Sequence, residues 1–223
     1  MGPKKRVIVF GAGGFAREVR WLIEEIGSTS EALEFAGYAV SDLSLLGEHD
    51  SRDEVLGDLR WLEQNRARFD FLALGIGAPA SRLRVADQLV AAFGEQTFPS
   101  LVHPSVRYDR RTCRFGPGSL VCAGVTATVN VILEPFALIN LHCTLGHEAV
   151  IGRASVLNPS VNVSGGVRIG PGVLVGTGAQ ILQYLEVGAG ATIGAGAVVV
   201  KPVGSGETVV GIPAKALGQR RAS

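Results

Sequence analysis

His147 and Glu148 are neighbours in a stretch of chain that carries almost no other charge, and His142 lies five residues before them. A neutral imidazole can take the proton from an attacking amine or hydroxyl. An adjacent carboxylate can orient the ring and stabilise the imidazolium, so this pair suits general base catalysis. Of the other histidines, His49 sits in a charged loop and is expected to be solvated, and His103, before Pro104, is expected to be structural. A second chemical feature is Gly11-Ala12-Gly13-Gly14, between an apolar strand and a helix pattern. Such a loop offers unpaired N–H groups and the positive end of a helix dipole to an anion, typically phosphate. Ala16 extends it towards the dinucleotide fingerprint, but the region holds about 100 residues, room for one mononucleotide half only. A nucleotide or nucleotide sugar, NAD, and a purely structural turn all remain readings of this loop.

The histidine pair must be positioned by a repeat. From residue 115 to 204 there are only six charged groups, although the chain has 21 Lys+Arg and 20 Asp+Glu. In that stretch an aliphatic or Phe recurs every sixth residue, at Phe115, Val121, Ala127, Leu133, Ile139 and onward to Val199, fifteen positions in phase. Four residues after each comes a second, mostly small set, from Ser119 to Val203. Both sets must point inward. A period of six fits a hexapeptide β-solenoid, a triangular prism in which three hexads make a coil of 18 residues and fifteen make five coils. Gly116, Gly146, Gly152, Gly170, Gly176, Gly188 and Gly194, which follow the aliphatic, are expected at turns that need a permissive φ.

The glycine loop must be positioned by an α/β unit. Arg6–Phe10 is a predicted strand, and Phe15–Ile26 a predicted helix ended by Gly27. Further strands are expected over Phe35–Val40 and Phe69–Ile76, with helices over Asp58–Arg66 and Ser81–Phe93. The alternation predicts a small parallel sheet. Ser41-Asp42 and Gly77-Ala78-Pro79 with Arg82 then fall at the same carboxyl edge as the glycine loop. The expected division is an α/β domain over 1–102 and a β-solenoid domain over 103–223.

Composition narrows the function. A formal charge of +1 gives no basic excess for nucleic acid. No apolar run approaches the ~20 residues that span a bilayer, so a soluble protein without targeting or membrane contact is expected. Cys113, Cys122 and Cys143 form no CxxC pair and are expected to be free thiols in a reducing cytoplasm.

The motifs Val7-Ile8-Val9-Phe10-Gly11-Ala12-Gly13-Gly14, Gly77 with Arg82, Val102-His103-Pro104-Ser105, Gly146-His147-Glu148-Ala149-Val150-Ile151-Gly152 and Gly211-Ile212-Pro213-Ala214-Lys215 together resemble the bacterial sugar O- and N-acyltransferases. These are typified by sialic acid O-acetyltransferase and the UDP-bacillosamine-pathway N-acetyltransferase. The resemblance covers nearly the whole chain. It implies left-handed coils and a homotrimer with active sites between neighbouring prisms. Acetyl-CoA would lie along the solenoid, with the nucleotide sugar on the amino-terminal domain. By resemblance His147 is the base and Glu148 the carboxylate that raises its basicity. Gly13, Gly14, Phe15, Ser41, Asp42 and Gly77 meet the nucleotide sugar, and Val156, Gly165, Thr177 and Ala195 meet acetyl-CoA. Phe15 and Val156 stand where relatives often have His, and Ser41 replaces the first acid of a pair. The implied reaction is direct acetyl transfer to an amine, less readily a hydroxyl, of a nucleotide-linked sugar, with no metal. Two rival readings are a non-catalytic nucleotide-binding trimeric scaffold and a carbonic anhydrase of the γ class. The latter binds zinc through three His, two of them five residues apart, as His142 and His147 are. The third would fall near residue 106, where the chain has Val106.

Overall fold

The computed structural model describes residues 4–30 and 33–217. The amino-terminal part comprises strand Lys5–Phe10 (β1), helix Gly14–Ser30 (α1), Leu33–Ala39 (β2), Val55–Gly57 (β3), Leu59–Gln64 (α2), Phe71–Leu74 (β4) and Pro79–Phe93 (α3). The strands form one parallel sheet in the order β3-β2-β1-β4. Val7, Ile8 and Val9 in its centre are fully buried, as helices on both faces of a parallel sheet require. Every expected element is present with its ends shifted by a few residues, and two of these shifts have a clear physical reason. α1 continues past Gly27 to Ser30, and a Cβ at Gly27 would come within 2.4 Å of the Leu33 carbonyl oxygen. That glycine admits the start of β2 against the helix and does not end it. α3 begins at Pro79, whose fixed φ and missing N–H suit a first helical turn.

From Leu101 the chain winds as two-residue parallel rungs joined by tight turns. The rungs stack into three sheets that form the sides of a prism. One has eight strands, beginning at Leu101–Val102; one has six, from Arg107–Tyr108 to Val198–Val199; one has five, from Arg114–Phe115 to Glu186–Val187. Successive coils pair in an 18-residue register, as in Ile132↔Val150, Leu138↔Val156 and Thr144↔Asn162. The inward expectation holds: Val121 and the later members of the first set are at most 2% exposed, and only Phe115 and Leu185 of the two sets are half-buried. Inward hydroxyls are satisfied, since Ser155 Oγ donates to the Gly170 carbonyl at 2.7 Å and accepts from Val173 N at 3.0 Å.

Two corrections concern the repeat. The solenoid starts before Phe115, because Val102 pairs with Val121 and Tyr108 with Ala127, each 19 residues on. One additional residue in the turn after Tyr108, where Asp109 Oδ1 accepts from Arg111 N at 3.0 Å, puts these rungs out of phase with the later hexads. The glycines that follow the aliphatics are also there for another reason than φ. The left-handed residues lie two positions further on, among them Gly118, Gly124, Gly166 and Glu148. At Gly146 and Gly176 a Cβ would instead meet the backbone nitrogen of the next coil at 2.5 and 2.4 Å, so those positions serve close stacking of coils.

The two parts share their cores. Val7, Val9, Ala16, Val19, Leu22 and Ile23 form one apolar cluster with Leu120, Leu138 and Val156, the outward residues of the eight-stranded side. The apolar side of α1 is thereby buried between sheet and solenoid, while Glu18, Trp21 and Glu24 face outward. Fully buried Arg82 makes a polar tie: its Nε donates to the Phe136 carbonyl at 2.7 Å, and Nη1 to the carbonyls of Leu74 and Ile76 at 3.0 and 2.9 Å. Burial lowers its pKa to about 9, and Nη2 has no hydrogen-bond partner among the described residues. Arg82→Met is expected to orphan three carbonyls, each costing roughly 1–3 kcal/mol. Removal of the desolvated charge offsets part of this. A net loss of about 3 kcal/mol in urea unfolding is the expected outcome, and unchanged stability would show that water replaces the guanidinium.

Candidate active site

The carboxyl ends of β1, β2 and β4 open into a cavity of about 540 Å³, a size that admits a small ligand. Phe15, Ser41, Gly77, Ser81, Arg84 and Gln88 are part of its wall. Of the residues expected at this edge, Phe15, Ser41 and Gly77 line the cavity, and Gly13, Gly14 and Asp42 do not. Asp42 caps the short turn Leu43–Leu45 by accepting from Ser44 N at 2.8 Å, which holds its carboxyl below the usual range.

The glycine loop has an internal partner that the sequence does not reveal. The carboxylate of Asp50, 7% exposed, accepts from Gly13 N at 3.1 Å, from Gly47 N at 2.8 Å and from the Arg17 guanidinium. Burial alone would push the Asp50 carboxyl up; the Gly47 N–H, Arg17 and the Gly13 N–H outweigh it and hold the pKa below the ordinary value. The Gly11 N–H is also used, by the Ala39 carbonyl at 2.9 Å. Arg20 Nη1, 2.7 Å from Glu54 Oε1, fixes the far end of the same 41–54 segment.

His147 and Glu148 occupy the edge between the six- and five-stranded sides, where successive coils present Val129-Asn130, His147-Glu148, Gly165-Gly166 and Gln183-Tyr184. The turn backbone is fixed by Glu148 N donating to the Val129 carbonyl at 3.0 Å and Gly166 N donating to the His147 carbonyl at 2.7 Å. Both side chains are about half exposed or more, 51% and 61%, and His147 Nδ1 lies 3.8 Å from Glu148 Oε2. That is ion-pair range, longer than a hydrogen bond. The ring rests on Gly165, where a Cβ would meet His147 Nε2 at 2.2 Å. Tyr184, which the sequence did not single out, brings its ring centroid to 6.4 Å from that of His147.

His142 lies at a different edge, its ring over Gly124, so the two histidines do not share a site. Among the described residues no group of three His, Cys, Asp or Glu is placed to hold a metal ion. His103 is engaged locally: Nδ1 accepts from Ser105 N at 3.1 Å, and Nε2 is 3.6 Å from Glu25 Oε2.

No family model matches the chain. A curated protein, N,N-dimethylglycine/sarcosine dehydrogenase of Chromohalobacter salexigens, is 31% identical over 112 residues, which cover 48% of this chain but 16% of that protein. Solved structures match over nearly the full length. Perosamine N-acetyltransferase from Caulobacter crescentus, in complex with CoA and GDP-perosamine, is 28% identical with a TM-score of 0.83, covering 95% of this chain and 97% of that one. The acetyltransferase domain of PglB from Neisseria gonorrhoeae FA1090 is 28% identical with a TM-score of 0.82, covering 96% and 100%. WeeI from Acinetobacter baumannii AYE is 26% identical with a TM-score of 0.80, covering 95% and 99%. Over nearly its whole length the chain is thus similar to solved bacterial sugar acyltransferases of the left-handed β-helix type.

In this chain the four residues expected at acetyl-CoA are not gathered in one place. Gly165 lies under His147, whereas Thr177 and Ala195 are exposed on the edge that carries His142. Val156 is 1% exposed, packed in the apolar cluster with α1. The support of the imidazole by Gly165 is directly testable. Gly165→Ala places a methyl where the ring now rests, and the exposed ring can swing away without disturbing the core. The expected outcome is a kcat lower by ~10–10²-fold with an unchanged melting temperature; wild-type turnover would show that the ring position is not used.

Proposed function

We propose that this chain is an acetyl-CoA-dependent acyltransferase acting on the amine of a nucleotide-linked sugar, with His147 as general base. Residues 1–102 would hold the nucleotide sugar, and residues 103–223 would carry the transfer. The observation that carries this reading is the pairing, in a chain similar throughout to solved sugar acetyltransferases, of an open cavity at the sheet edge with an exposed imidazole and carboxylate on a solenoid edge. A neighbour bound to CoA and GDP-perosamine, and another bound to acetyl coenzyme A, support the two substrates.

In the proposed reaction the sugar nitrogen attacks the thioester carbonyl. The C–N bond forms as the C–S bond breaks, His147 takes the proton from nitrogen, and the CoA sulfur leaves and is protonated. Glu148, within ion-pair range, stabilises the imidazolium. Direct transfer is supported by the thiols: Cys113, Cys122 and Cys143 are buried, and burial pushes Cys122 up to about 12 and Cys143 up to about 11.

We propose further that the site is completed by a second copy, in a homotrimer. His147 stands on one edge of the prism, and Phe136, which Arg82 ties to the cavity-bearing part, stands on another. The edge of His147 is flanked by exposed apolar side chains, Val129 at 42%, Ile132 at 43%, Leu182 at 41% and Tyr184 at 68%, as a surface covered by a like subunit would be. Among the described residues no helix is long and apolar enough to cross a membrane. We place the protein in the cytoplasm, consistent with its three free thiols.

Thiol release from acetyl-CoA with a panel of UDP- and GDP-linked amino sugars tests the reading; no release with any would favour a non-catalytic scaffold. His147→Ala is expected to lower kcat by ~10²–10⁴ with unchanged folding. Glu148→Gln should cost less, and His142→Ala, on the other edge, less still. An equal loss for His142→Ala and His147→Ala would displace the assignment of the base. Light scattering is expected to report three chains; a fully active monomer would contradict the shared site.

A further inference from the structure

We propose that Arg84 holds the diphosphate of the nucleotide sugar. This rests on the nucleotide-sugar reading given above. Arg84 is exposed on α3 and is the one charged residue in the wall of the 540 Å³ cavity. Its side chain has no ion pair and no hydrogen bond among the described residues; Arg52 and Arg60 share that freedom, but only Arg84 stands in the cavity wall. Ser41, Ser81 and Gln88, the other polar side chains of the wall, are likewise without protein partners. Four unengaged polar groups around one cavity, one of them a guanidinium, form a set that matches a diphosphate and its neighbouring hydroxyls.

The glycine loop shares this cavity, with Gly11, Ala12 and Phe15 in its wall, but two of its N–H groups are already engaged. Gly13 N donates to Asp50, and Gly11 N to the Ala39 carbonyl. A diphosphate bound at the Gly13 N–H would have to displace a buried carboxylate that also holds Arg17 and Gly47 N. In the cavity it meets a free cation and no protein anion. Arg84 thereby becomes an affinity residue for the nucleotide, remote from the reacting nitrogen, so its loss should appear in KM for the nucleotide sugar and leave kcat and the KM for acetyl-CoA unchanged.

The test is calorimetry of the full chain with UDP and GDP, and with uridine and guanosine as uncharged counterparts. Arg84→Gln is expected to weaken the diphosphates by ~10–100-fold, the range of a charge-assisted hydrogen bond, with the nucleosides unaffected and Arg84→Lys intermediate. Arg84→Gln binding UDP and GDP as the wild type does would overturn the proposal. Asp50→Asn is the second variant: tighter diphosphate binding on removal of that carboxylate, with Arg84→Gln silent, would move the phosphates to the glycine loop and overturn it as well. If the wild-type chain binds neither UDP nor GDP, the nucleotide-sugar reading fails first, a result distinct from an Arg84→Gln variant that binds normally.

Discussion

A triangular prism closed every 18 residues leaves an interior wide enough for one branched side chain and one small one per side. The rest of the molecule follows from that narrowness. It requires the aliphatic series from Val121 to Val199 to be buried almost completely, and it brings coils so close that Gly146 and Gly176 have no room for a Cβ against the next coil. Because inside positions admit little variation, chemistry is confined to what the edges project outward. His147 and Glu148 are such projections: their backbone belongs to the turn ladder, and their side chains are free of the core. A replacement there can change reactivity at little cost to stability, which is how a rigid repeat supports a tunable site.

The second constraint is the junction. The outward residues Leu120, Leu138 and Val156 make the eight-stranded side apolar, and α1 covers it. Arg82 then fixes the end of β4, and with it the cavity mouth, to the corner at Phe136. The guanidinium is used as a rigid fork of donors to carbonyls, without a compensating carboxylate, so its value lies in geometry more than in charge.

Much of this was legible in the sequence. The six-residue phase told which residues face inward, and the alternation of strands and helices told where the sheet edge lies; the cavity is at that edge, with Phe15, Ser41 and Gly77 in its wall. What could not be read depends on contacts between residues far apart in the chain. Asp50 reaching Gly13 links positions 37 apart, through a loop that carries no periodic signal. β3, three half-buried residues at the sheet margin, has too little pattern to be found. The rungs at Leu101 and Arg107 were concealed by one additional residue, since a strict phase search sees an insertion as an end. Gly27 shows a different failure, because a glycine wanted for a neighbour's approach looks the same in sequence as one that ends a helix.

The carbonyl of Phe136 has a further significance. It is accessible to Arg82 because Phe136 takes a left-handed conformation, φ 63°, at a corner of the prism. Corners of this sort recur up the solenoid, at Ala154 one coil above, with Gly172 beyond it. Docking at another height would need both a guanidinium facing such a corner and an apolar patch like that of Leu120, Leu138 and Val156 for the first helix to cover. Lengthening or shortening the column beyond the docked level would leave the joint intact. The separation between the cavity and the edge that carries His147 is thereby a length set in whole coils counted from the joint.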